Sequence, residues 1–315
     1  MPIEYTKPFL TLDQQVDLLI SRGMQVSDRV RAKLYLGRLG YYRLSAYWYP
    51  FRQINAGAVT DNFVAGTEFS HSVDLYVFDK RLRLLLLDAI ERIEVAFRVE
   101  IAQVLGLKDM RGHLNPQLLD GKFTRIGKDG RSRYDKWLEN FRKLEERSNE
   151  TFVEHYRKKY SGTLPIWIAV ELWDFGLTSH LLEGLQFKDQ QSIASKYGIS
   201  APTLASWLRT INHVRNIAAH HSRLWNKNLV DRPSLPKAGE APTLDHLRAD
   251  VFAQSRVYAG IAIIQYLMMF ISPTSTWCKR LKSLTDRFPN APRVHIQNMG
   301  FPKDWHLLPL WKTCL

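Results

Sequence analysis

Cysteine is the scarcest reactive residue in this 315-residue chain. Only Cys278 and Cys314 occur, which excludes a disulfide framework, a CxxC clip and zinc held through thiolates, and makes a reducing cytoplasm the expected compartment. Long apolar runs are missing as well. Val257 to Ile271 is the strongest, yet it is shorter than the roughly 20 residues of a membrane span and contains Gln265, so it reads as a buried core helix and no membrane is expected as partner. The opening Met1-Pro-Ile-Glu-Tyr-Thr-Lys-Pro8 lacks the basic start and apolar run of a secretion signal. There is no Gly-rich phosphate loop, no internal repeat and no alternating strand series, which leaves helices as the main building element.

Acidic residues are also in deficit, 31 Asp and Glu against 44 Lys and Arg, for a formal charge of +13. Such an excess draws polyanions over long range, so RNA, DNA and an anionic surface all fit as partners. With 45% hydrophobic residues the chain can nonetheless bury a large core.

Helix signals then recur along the chain. Thr11-Leu-Asp-Gln14 has capping-box spacing, predicting a helix from about Thr11 to Arg22-Gly23, and a second follows Ser27 and ends by Gly40. Ile54 to Gly66 reads as a loop or short hairpin. Apolar residues at helical spacing from Ser70 to Gly106 predict the longest helix. Lys108 to Arg133 is a basic surface connection, followed by two short helices to Tyr160. Leu164 to about Leu185 reads as one apolar helix with Pro165 in its first turn and Glu171 and Asp174 as its notable charges. A central helix starts at Ser200 or Thr203, and a core helix spans Thr243 to Ile271. The prolines after Ser272 predict an irregular tail, docked through Trp305 and Trp311. The fold class is all-α, with an N-terminal helical and aromatic region (1–66), a helical core (67–271, with the insertion at about 108–133) and the tail (272–315).

The polar stripe of the central helix carries the chemistry. Read as one helix from Trp207 to Trp225, it turns roughly 100° per residue and gathers Arg209, Asn212, His213, Asn216, His220 and Arg223 within about a third of the circumference. Trp207, Ile211, Val214, Ile217 and Ala218 face the core. Imidazole, carboxamide and guanidinium groups without one carboxylate suit an anion, although a polar stripe also serves simple solvation. His221 points to the apolar side and is read as structural. Arg215 lies roughly a quarter turn off the stripe.

Two other segments mix charge with apolar surroundings. Gly40 to Arg52 interleaves Tyr41, Tyr42 and Trp48 with Arg43 and Arg52, a pattern that can stack bases and hold phosphates, or simply pack the N-terminal helices on the body. On the long helix Glu94 and Arg98 share a face. They form either an intrahelical ion pair or a carboxylate that orients an arginine or histidine of the central helix.

Arg215-Asn216-Ile-Ala-Ala-His220 fits the Arg-x4-6-His signature of HEPN ribonucleases. Together with Lys7-Pro-Phe-Leu-Thr11, Gln14-Gln15, Arg22-Gly23, the run Leu39 to Arg52, Glu91-Arg-Ile-Glu94-Val-Ala-Phe-Arg98, the continuation to Asn226 and Gly300-Phe-Pro-x-x-Trp305, it resembles the Abi-like family of bacterial phage-defence proteins, of the AbiD and AbiF type. The resemblance spans nearly the whole chain. It implies a HEPN-like helical bundle, an RNA-directed toxin of abortive infection, and in some members a small non-coding RNA partner. HEPN motifs generally meet in pairs; this chain has one good copy, so a homodimer is expected.

For metal-independent RNA cleavage, His220 is the expected acid/base, Arg215 the phosphate holder and Asn216 the orienting amide, because imidazole titrates near working pH and guanidinium stays charged. His221, Arg223, His213, Arg209, Glu94 and Arg98 are supporting candidates, and whether His220 or His221 is the catalytic imidazole stays open. No cofactor and no metal site is expected, since no nearby carboxylate or cysteine completes a ligand set. A non-catalytic RNA-binding protein and a protein-interaction scaffold are the alternatives.

Overall fold

The computed structural model describes residues 4, 6, 8–160 and 163–314, the side chains of residues 313 and 314 excepted, so Lys7 lies outside the described residues. The first helix, α1 (Leu12–Ser21), starts where its cap dictates, with the Thr11 hydroxyl accepting from the Gln14 N–H and the Gln14 amide oxygen accepting from the Thr11 N–H. Next come α2 (Arg29–Leu39), capped by Asp28, and α3 (Tyr41–Trp48), which contains the aromatic run. A two-residue turn at Ala56-Gly57, both with positive φ, closes the hairpin of β1 (Arg52–Asn55) and β2 (Ala58–Phe63).

The long helix α4 (Phe69–Gly106) runs unbroken for 38 residues and is the axis of the molecule. The basic connection after it is more than surface, because it buries His113 and Phe123 and includes the single turn α5 (Gly121–Thr124). Then follow α6 (Arg133–Arg147) and α7 (Thr151–Lys159).

The helix expected from Leu164 to Leu185 is two. A short α8 (Ile166–Ala169) ends in a tight turn, and α9 (Phe175–Gly184) starts afresh because the Asp174 carboxylate caps it, accepting from the Leu177 N–H at 2.8 Å. The Arg98 guanidinium takes the Trp173 carbonyl at the break. After α10 (Phe187–Ser195), the central α11 (Ala201–Ala219) packs against α4, α9, α10 and α13. Its Trp207, Ile211, Val214, Ile217 and Ala218 are buried, as the periodicity requires. The core helix is also divided, into a 3-10 turn at Pro242–Leu247, α12 (Val251–Ser255) under an Asp250 cap, and α13 (Val257–Ile271), buried from Val257 to Met268.

The tail adds α14 (Trp277–Thr285) and then irregular turns. Trp305 and Trp311 are buried beside Tyr258, whose hydroxyl accepts from the Trp311 indole at 3.1 Å. Cys278 of α14 is buried. Among the described residues no helix is long and apolar enough to cross a membrane.

Candidate functional site

The polar residues of α11 and its cap divide into two environments. Arg209, Asn216 and His220 are exposed, while Asn212, His213 and Arg215 are half-buried. The helix ends at Ala219 instead of continuing to Trp225. His220 caps it, donating its backbone N–H to the Asn216 carbonyl at 3.0 Å. His221 then turns left-handed at φ 57°, its N–H on the Ala218 carbonyl at 3.1 Å and the Ser222 N–H on the Ile217 carbonyl at 3.0 Å. This is a Schellman end, a position glycine normally fills; a histidine there costs about 1 kcal/mol.

The turn keeps that shape because the body holds it from two sides. Asp79 of α4 is fully buried and accepts from the Trp225 N–H at 2.7 Å, the Leu224 N–H at 3.1 Å and the Tyr47 hydroxyl at 2.7 Å, beside its ion pair with Arg83. Burial pushes the Asp79 carboxyl up, and Arg83 and these donors oppose the shift. From α3, Arg43 donates to the His221 carbonyl at 2.8 Å. Arg223 donates to the Ala46 carbonyl at 2.5 Å, so it does not continue the stripe but ties the turn to α3.

The opposite wall is electrostatic. Glu94 of α4 pairs with Arg98, which also holds the Trp173 carbonyl. Burial pushes the Glu94 carboxyl up; Arg98 and Arg215 pull it down, and Asp174 raises it. A Cβ on Gly176 would sit 3.2 Å from an Asp174 oxygen and 3.8 Å from the Asn212 amide nitrogen, so α9 and α11 face each other closely there. Glu94 therefore acts on Arg215 through space, while its direct partner is its own helix neighbour. The Arg215 guanidinium donates to the Asn216 side-chain oxygen at 3.3 Å, and among the described residues no carboxylate lies within ion-pair distance of it.

The other candidates are placed differently. Arg209 pairs with Glu183, which also holds Arg133 at 2.6 Å; burial would raise the Glu183 carboxyl, but the two arginines keep it below the usual range. His213 keeps an unpartnered, buried Nε2. Trp48 is fully buried and Tyr41 stands edge-on to it at 5.0 Å, which corrects the view of Trp48 as a base-stacking surface. Tyr42 is 91% exposed, and Arg52 pairs with Asp61 at 3.0 Å.

Asp79, Arg83 and Glu183 escaped the reading of the sequence. The first two carried a weak signal, a carboxylate and a guanidinium four residues apart just before the run Leu84 to Leu87, where burial demands pairing.

A sequence model of the Abi-like protein family matches residues 34–226, more than half of the chain. The chain belongs to the Abi-like protein family. The match takes in α3, the Asp79–Arg83 pair, Glu94 and Arg98, and ends at Asn226, just past the turn that Arg43 and Asp79 support. No curated protein and no solved structure matches. Among the described residues of this Abi-like protein, no three His, Cys, Asp or Glu side chains gather as a ligand set for a metal.

Proposed function

We propose that this Abi-like protein is a HEPN-type, metal-independent endoribonuclease of abortive infection, working as a homodimer in the cytoplasm and held in check by a small non-coding RNA. Family membership supports the phage-defence role. The observation that carries the chemistry is Arg215: half-buried, attracted by Glu94, yet without an ion-pair partner among the described residues, beside exposed Asn216, which lies about one turn before exposed His220. Guanidiniums elsewhere around the stripe are occupied by Glu183, the Ala46 carbonyl or the His221 carbonyl. Arg215 is thus the one ready to take a phosphate.

In the proposed reaction His220 removes the proton from a ribose 2′-hydroxyl as that oxygen bonds to phosphorus. Arg215 neutralises the charge that builds on the phosphoryl oxygens, and Asn216 fixes their orientation. The bond to the 5′-oxygen breaks, and that oxygen leaves with a proton from the imidazole of a second copy, giving a 2′,3′-cyclic phosphate.

Wild-type and His220→Ala protein expressed in bacteria, with sequencing of RNA ends and of copurified RNA, test this. Growth arrest and new ends from the wild type alone, with cleavage by purified protein persisting in EDTA, are the expected results. Identical RNA ends from both proteins would sink the nuclease reading. A small RNA copurifying with neither protein cutting would favour the non-catalytic ribonucleoprotein instead.

A further inference from the structure

Another side of α3, next to the one that holds the motif turn, lines an open cleft with Phe9, Gln15, Arg22, Tyr42, Arg52 and Asp61. Its two aromatic walls are bare, with Phe9 92% and Tyr42 91% exposed. Its charge is unbalanced. Arg22 and Arg52 share the single carboxylate of Asp61, at 2.6 and 3.0 Å, and Arg293 closes in from the tail to donate to the Arg52 carbonyl at 2.7 Å.

It also holds polar atoms without partners. The Gln15 amide nitrogen is fixed on the Leu10 carbonyl at 2.9 Å, whereas its oxygen, like the Arg52 Nε, is buried and has no hydrogen bond among the described residues. Leaving such atoms unpaired is unfavourable, and a polar ligand that opens the cleft slightly would relieve it.

Flat rings, forked cations and an unsatisfied amide oxygen complement a nucleotide, which brings a π face, a phosphate and ring N–H donors. An acidic peptide would meet the arginines but offer the rings no flat face. Duplex RNA keeps its base faces stacked inside, so the ligand is unpaired. We propose that this cleft binds one unpaired nucleotide of the RNA, its base against Tyr42 and Phe9 and its phosphate on Arg22 and Arg52.

The proposal rests on the RNA reading above and adds a second point of contact to it. Tyr42 and Arg43 are consecutive in α3, and Arg43 reaches the His221 carbonyl. The cleft and the motif turn are therefore about one helix diameter apart, roughly 10–12 Å. A strand that offers its phosphate to Arg215 passes the cleft within a few nucleotides, and the base held there sets the register of the cut.

The test uses full-length His220→Ala protein and a single-stranded oligoribonucleotide carrying a fluorescent adenine analogue at successive positions. Anisotropy reads binding and quenching reads stacking. We expect quenching at one position, lost with Tyr42→Ala together with a roughly ten- to hundredfold weaker affinity, and kept with Tyr42→Trp. Affinity for the same sequence as a duplex should not depend on residue 42.

Unchanged single-strand affinity in both Tyr42→Ala and Phe9→Ala would overturn the proposal. So would an equal loss for single strand and duplex, or no RNA binding by the parent protein. The nuclease reading is judged separately, by comparing RNA ends from wild type and His220→Ala.

Discussion

The Arg43 guanidinium donates to the backbone carbonyl of His221 at 2.8 Å, joining the aromatic helix α3 to the left-handed residue that ends the motif helix. Two residues 178 apart in sequence thereby set how the His220 side chain is presented. Because His221 contributes its backbone here, His221→Gly should stabilise the protein by up to about 1 kcal/mol and keep RNA cleavage. His221→Val should lose about 1–2 kcal/mol. Denaturant unfolding with a parallel cleavage assay checks both; a His221→Gly protein as inactive as His220→Ala would make His221 the catalytic imidazole.

His113 predicts a pH dependence. It is fully buried among Phe141 and Trp173 with neither ring nitrogen hydrogen-bonded among the described residues, and burial pushes its pKa down to about 4. The unfolded chain binds this proton near pH 6.5 and the folded chain only near 4, so stability is whole above about 6.5 and drains as pH falls towards 4. The slope from this one group is at most about 1.4 kcal/mol per pH unit. His113→Phe should flatten that part of the stability profile and leave neutral-pH stability equal or higher, as measured by thermal unfolding across pH.

Glu94 is a positioning residue in the proposed site. Its charge attracts Arg215 but also opposes an incoming phosphate, so Glu94→Gln should tighten RNA binding several-fold while lowering the cleavage rate by about tenfold, roughly 1.4 kcal/mol. Single-turnover kinetics and binding to the His220→Ala background separate the two effects. A Glu94→Gln protein with unaltered rate and affinity would assign the carboxylate to its ion pair with Arg98 alone.

Gly300 is where the tail closes on the body. It sits at φ 88°, and a Cβ there would lie 2.7 Å from the Arg256 Cβ and 3.1 Å from the Ala253 Cα. Gly300→Ala should therefore cost about 2 kcal/mol or more, since neither the conformation nor the space admits the methyl group. Faster proteolysis of the tail and a lower denaturation midpoint are the expected readouts; unchanged values would mean that the tail shifts without strain.

Local rules made much of this protein legible in one dimension. The Thr11 capping box, the length of α4, the buried face of α11 and the all-helical class follow from contacts three or four residues apart, which a sequence displays directly. The helix end at Ala219 was not readable in that way, because the turn is held by Asp79 reaching Leu224 and Trp225, 145 and 146 residues away. The break at Asp174 combines a local cap on Leu177 with Arg98 reaching the Trp173 carbonyl, 75 residues away. The same holds for the candidate site. The motif named Arg215, Asn216 and His220, but which arginines already have partners is a property of chain crossings. Tertiary structure assigned Arg209 to Glu183, Arg223 to Ala46 and Arg43 to His221, and left Arg215 without an ion-pair partner among the described residues.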